Sequence, residues 1–169
     1  DNPDYKSAYA YSLMFEGYWS GLQGLKNGLS TGLLSKAVFD NNKDTCLTNQ
    51  VYPVLGSADD VIKNTMIFDK NVVITGPNAS GKTTQLKATA INLILAQQFG
   101  LGCFDRAVIN PYMHFHSYLN IPDTSGRDSL FQAEARRCKE IIDAIDAEHR
   151  HFCVFDELFS GTNSEEATI

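Results

Sequence analysis

The stretch Val72-Val-Ile-Thr-Gly-Pro-Asn-Ala-Ser-Gly-Lys-Thr83 decides how this 169-residue chain is read. Gly76, Gly81, Lys82 and Thr83 satisfy G-x-x-x-x-G-K-[ST] at the required spacing. Lys70 to Thr75 reads as an apolar strand feeding the loop, and Gly81 to Phe99 as a helix leaving it. Backbone N–H groups and the positive end of that helix can then surround a phosphate anion. Lys82 is expected on the β and γ phosphates. The Thr83 hydroxyl is expected on Mg²⁺, a hard ion that takes oxygen ligands. Nucleotide binding follows from the motif and its flanks; the choice of nucleotide and its hydrolysis do not.

A second stretch, Phe152-Cys-Val-Phe-Asp156-Glu157, is a short apolar run ending in two carboxylates. Runs of this kind suit buried parallel strands, and ligands of parallel α/β sheets collect outside the carboxyl ends of the strands. Asp156 is placed to hold the Mg²⁺ shell, and Glu157 to polarise an attacking water as general base.

Around these two stretches, strands alternate with helices. Val51 to Leu55, Arg106 to Asn110 and Tyr112 to Tyr118 read as extended pieces. Asp128 to Glu148 reads as a helix with Phe131, Ala135, Cys138, Ile142 and Ile145 on one face. The expected fold is α/β, a P-loop domain with a mostly parallel sheet flanked by helices. A helical segment precedes it. Leu22, Leu25, Leu29, Leu33 and Ala37 recur at helical steps within residues 5–39, and Gly17, Gly21, Gly24, Gly28 and Gly32 form a second stripe. Each interior glycine costs about 1 kcal/mol against Ala, so the stripe implies either close packing against a neighbour or a helix broken at the glycines. Residues 40–50 read as a polar, turn-rich break, which divides a helical part at 1–50 from the nucleotide domain at 51–169.

Composition narrows the partners. A hydrophobic share of 43% supplies a core, while a net charge of −6 argues against a basic footprint for nucleic acid on this chain. No apolar run exceeds four residues, far short of the ~20 that a bilayer span needs. Cys46, Cys103, Cys138 and Cys153 form no C-x-x-C pair. Four free thiols point to a reducing intracellular compartment, cytoplasm or nucleus. His114 and His116 on one extended piece, and His149 and His151 beside another, read as ordinary strand and surface histidines rather than metal ligands. Arg136, Arg137 and Lys139 read as a solvated helix face. The chain opens on Asp1 and stops at Ile169 within what reads as a helical turn, so a piece of a longer protein is expected.

With these elements placed, three segments carry a resemblance: Thr75-Gly-Pro-Asn-Ala-Ser-Gly-Lys-Thr-Thr84, Ser129-Leu-Phe-Gln-Ala-Glu134 and Asp156-Glu-Leu-Phe-Ser-Gly-Thr162. In this order, from Tyr52-Pro53 onward, the chain resembles the MutS ATPase domain, the mismatch-repair branch of the ABC ATPases. The resemblance implies ATP and Mg²⁺ as cofactors, held by Gly76, Pro77, Asn78, Ala79, Ser80, Gly81, Lys82, Thr83 and Thr84, with Thr83 and Asp156 on the metal. It implies catalysis by Glu157 and Lys82 together with Ser129, which would reach in trans across a dimer to the nucleotide of a second MutS-like subunit. Asn64, in a segment similar to the one relatives place beside the adenine, is the remaining nucleotide contact. DNA would be held by regions outside this chain, with helices like those of residues 5–39 carrying signals between them. Ala79-Ser80 and Leu158-Phe-Ser160 depart from the family's better-known members and mark a divergent one. Ser129 with Gln132 also spells an S-x-x-Q capping box.

Two rival readings stay open on sequence alone. One is another ABC-type ATPase, of the chromosome-maintenance or recombination kind or a transporter motor, although an L-S-G-G-Q signature is absent. The other is a nucleotide-gated interaction module that binds without turnover, which Glu157 disfavours.

Overall fold

A computed structural model describes residues 3–56, 61–119 and 130–159. The chain begins with helix α1 (Pro3–Ser30), followed by strands β1 (Ser35–Phe39) and β2 (Thr45–Gln50), a 3-10 turn at Pro53–Leu55 and β3 (Asn64–Phe68). Helix α2 (Lys82–Phe99), strands β4 (Leu101–Gly102), β5 (Arg106–Ile109) and β6 (His114–Tyr118), helix α3 (Leu130–Ala144) and β7 (His151–Phe155) complete it.

The sheet is mixed, which corrects the mostly parallel expectation. Five strands run in the order β3-β2-β5-β1-β4, and only β1 and β5 pair in parallel. Parallel neighbours need a long crossover, whereas β2 and β3 have no α-helix between them among the described residues and pair antiparallel. Strands β6 and β7, with α3 between them in the chain, do pair in parallel, with His114 opposite His151 and Tyr118 opposite Phe155.

Four local readings are corrected as well. Residues 40–50 do not form a break, because 45–50 is strand β2. Its polar side chains conceal a buried element: Thr45 and Gln50 are fully buried, Thr45 is hydrogen-bonded to Asn110 and Gln50 to Thr89. The sheet therefore takes strands from both sides of residue 50. Val51 to Leu55 is not a strand: Pro53–Leu55 form a 3-10 turn. The helical stripe of residues 5–39 ends at Ser30, where Gly32 takes a left-handed φ of 76° and the Leu34 N–H bonds back to the Gly28 carbonyl at 2.9 Å, so Leu33 and Ala37 lie outside the helix. Leu34 lies against Gly28, where a Cβ would come within 2.6 Å of it, whereas Gly17, Gly21 and Gly24 face open space. On α3 the buried face passes through Glu134 and Ile141, and Ile142 is exposed.

Residues 70–75 are the largest departure. Strand identity requires a ladder partner, and residues 71–77 have none among the described residues. Val72 and Ile74 instead form one wall of a cleft of about 940 Å³, with Phe152 and Val154 of β7 on the other. The core beneath joins both sheets to α2: Leu47, Leu93, Ala96, Ala107, Ile109, Tyr112, Phe152 and Val154 form one cluster. Phe152 meets the rings of Phe68 and Tyr112 edge-on at 5.7 and 5.3 Å.

Helix α2 carries the glycine-rich loop and is fixed by its buried face, Ala88, Thr89, Asn92, Leu93 and Ala96. Gly100 ends it in the left-handed region, its N–H on the Ala96 carbonyl. Asn92 is fully buried: its amide donates to the Val51 carbonyl at 2.9 Å and accepts the Cys103 N–H at 2.8 Å. Removing it orphans two buried backbone groups, each at a cost of ~1–3 kcal/mol. Asn92→Leu is expected to lower unfolding free energy by about 3 kcal/mol, read from the denaturant midpoint at unchanged slope.

Candidate functional site

The site is assembled where α2 begins and β7 ends. Gly81 precedes the helix with φ 91°, a conformation that L side chains rarely adopt, and the Gln85 N–H bonds back to its carbonyl at 2.9 Å. Gly76 is crowded for a different reason: a Cβ there would meet the Ser80 hydroxyl at 3.0 Å. Between them the Ser80 N–H reaches the Pro77 carbonyl at 3.3 Å, and Ala79 takes a left-handed φ of 60° without being glycine. The loop is therefore a tight, partly strained arch. Its residues Gly76 to Gly81 are exposed, as is Thr84.

Lys82 folds over this arch, its ammonium donating to the carbonyls of Gly76 and Pro77 at 2.9 Å each. Thr83 points to the other side. Its hydroxyl donates to Asp156 Oδ2 at 2.7 Å, joining two residues that stand 73 apart in sequence. Hydroxyl and carboxylate are both hard oxygen donors, so this pair fits a Mg²⁺ ion by chemistry and proximity.

Glu157 follows Asp156 with a left-handed φ of 45°, and Phe159 repeats the conformation at 56°. Non-glycine residues in this region cost of order 1–3 kcal/mol and persist where surrounding structure holds them. Tyr118 does much of that holding, and nothing in the sequence singles it out for the role. It is buried at the end of β6, its carbonyl accepts the Asp156 N–H at 3.0 Å, and its hydroxyl accepts the Phe159 N–H at 3.4 Å. Burial pushes its phenol above the ordinary range, so it stays protonated. Glu134 is 2% exposed and, after burial, contributes to the same upward push on Tyr118 and on Cys138. Arg137 is no purely solvated cation: its Nε donates to the Ser117 carbonyl at 3.0 Å and it pairs with Glu140. Tyr118→Phe removes the Phe159 acceptor and is expected to lower turnover several-fold with unchanged nucleotide affinity. A kcat measurement beside an equilibrium binding curve checks this split.

The expected residues thus separate into three groups. Gly76 to Thr83 and Asp156, with Glu157 next to it in the chain, come together at one end of β7. Asn64 opens β3, exposed, and pairs with Gln50 on the sheet. Ser129 lies outside the described residues, as do Gly161 and Thr162.

A family model described as MutS domain V matches residues 72–168, from the first residue of the quoted loop stretch to beyond the acidic pair. Among curated proteins, the chain is 28% identical over 137 residues to "Endonuclease MutS2" of Staphylococcus epidermidis, covering 78% of this chain and 17% of that protein. It is 29% identical over 142 residues to the protein of the same name from Lactococcus lactis, covering 82% and 18%. The chain thus spans less than a fifth of the length of these relatives. Among the described residues no helix is long and apolar enough to cross a membrane. With the family match extending over more than half of its length and including the loop, Asp156 and Glu157, the chain belongs to the MutS domain V family.

Proposed function

We propose that the chain binds Mg²⁺-ATP and hydrolyses it as the motor of a MutS-like DNA-processing protein. One observation carries this reading: the Thr83 hydroxyl and the Asp156 carboxylate meet at 2.7 Å directly after a G-x-x-x-x-G-K-T loop. Phosphate oxygens would replace the Gly76 and Pro77 carbonyls on the Lys82 ammonium, as charge-assisted partners are the stronger ones. The first N–H groups of α2, left without partners by helix geometry, face the same anion. Mg²⁺, held by Thr83 and Asp156, would neutralise charge on the β and γ phosphates. Glu157 accepts the proton of the attacking water. Ser129 would complete the site from a second subunit, and Asn64 would contact the base.

The relatives are named endonucleases, and by that likeness the output of the motor is work on DNA held elsewhere in the protein. Mismatch sensing is one form of that work. By linkage, DNA that alters nucleotide affinity must itself be held differently in the ATP and ADP states. ATP turnover by the full-length protein, measured without DNA and with matched, mismatched and branched duplexes, tests the coupling. A change with any duplex is expected, and one restricted to mismatched duplex assigns mismatch sensing. Turnover indifferent to every duplex overturns the DNA-linked part and leaves the ATP site.

A further inference from the structure

All four histidines of the chain lie in one cluster, although they are spread over residues 114–151. The parallel register brings His114 beside His151, and the turn between α3 and β7 adds Asp146 and His149. His114 stacks on His151 with ring centroids 4.7 Å apart and meets the edge of His149 at 5.5 Å. The His116 ring lies beside His151 with centroids 5.2 Å apart and planes 15° from parallel. Histidines read from the sequence as belonging to two separate elements are thus brought together by the strand register.

We propose that His114, His149 and Asp146 form a binding site for a late first-row divalent cation, zinc being the natural probe, separate from the nucleotide's Mg²⁺. One ligand atom from each of the three lies within 4.8 Å of the other two. Metal–ligand bonds of about 2.0–2.1 Å set tetrahedral ligand atoms about 3.4 Å apart, so a small rotation of exposed side chains closes the shell. Two imidazoles with one carboxylate select zinc, cobalt, nickel or copper over magnesium and calcium. All three residues are exposed, which leaves the remaining coordination positions to water.

The surroundings hold two of the ligands in place. Asp146 Oδ1 accepts the N–H groups of Glu148 and His149 at 2.8 Å each, and His149 Nδ1 lies 3.0 Å from both carboxylate oxygens. His151 Nε2 accepts the Asp146 N–H at 3.3 Å. That nitrogen therefore carries the lone pair, and Nδ1 is left to donate to His116 Nε2 at 2.9 Å. His151 and His116 form a hydrogen-bonded wall behind the ligands, a support of the sort that orients metal-binding side chains. The site lies beside the start of β7, whose first residue, His151, is five residues from Asp156, or about 17 Å along a strand at 3.3 Å per residue. A cation here ties the α3–β7 turn to the start of β6, at the opposite end of both strands from the phosphate loop.

The test is calorimetric titration of the full-length protein with Zn²⁺ in millimolar Mg²⁺, paired with the visible spectrum of the Co²⁺ form. One equivalent of Zn²⁺ is expected to bind, with Co²⁺ bands of a nitrogen and oxygen shell and no thiolate-to-metal band. His149→Asn and His114→Asn are each expected to weaken binding by roughly 10–100-fold, while the metal-free thermal midpoint stays at the wild-type value. Asp146→Asn keeps an oxygen for the turn N–H groups and should weaken binding as well. Absence of stoichiometric Zn²⁺ binding, affinity unchanged in both histidine variants, or a thiolate band would each overturn the proposal.

Discussion

Replacing Glu157 by Gln is expected to abolish most ATP turnover while leaving nucleotide binding intact. Removal of a positioned general base costs typically about 10²–10⁴-fold in rate. The substitution keeps the size of the side chain and the left-handed backbone that Glu157 already adopts, so little else should change. Binding should survive because the groups proposed to hold phosphate, Lys82 and the helix N-terminus, lie on a different element. Single-turnover hydrolysis beside a fluorescent-nucleotide titration separates the two effects. Loss of both together would place Glu157 in binding, and loss of neither would return the chain to a nucleotide-gated module that uses another base or none.

The second large effect is expected at the pair that joins the two elements. Thr83→Val removes the hydroxyl and Asp156→Asn the charge, and either change takes away half of an oxygen donor set. Each single variant should lose roughly 10²–10³-fold in kcat/KM, the scale of several kcal/mol of metal-supplied charge stabilisation. The double variant should be little worse than either single one, because residues acting as one unit are strongly non-additive. Fully additive losses would mean that Thr83 and Asp156 serve separate tasks and that their hydrogen bond is incidental.

What could be read from the sequence, and what could not, divides along physical lines. Helix α2 was legible because its start and stop are local: Gly81 supplies the left-handed entry and Gly100 the left-handed exit. Strand β7 was legible because an apolar run that short, ending in carboxylates, has few other uses. The convergence of Thr83 and Asp156 followed from the rule that ligands gather at strand ends. Strand β2 was not legible, because Thr45 and Gln50 are polar yet fully buried, and their satisfaction comes from Asn110 and Thr89, far away in sequence. The strand read into residues 70–75 failed for the complementary reason, since an apolar pattern is local but a ladder partner is not. Tyr118 and the histidine cluster depend on the β6–β7 register, which brings together residues 35 or more apart and leaves no mark on either segment alone. The proposed site was thus visible in its loop and carboxylates and hidden in the residues packed around them.

The central claim is that Thr83 and Asp156 together hold the nucleotide's magnesium. The most direct measurement is ATP affinity of the full-length protein as a function of Mg²⁺ concentration, for the wild type and for Asp156→Asn. The expected result is an affinity that rises with Mg²⁺ in the wild type and is flat in the variant, with similar Mg²⁺-free affinities in both. Identical Mg²⁺ dependence in the two proteins would contradict the claim.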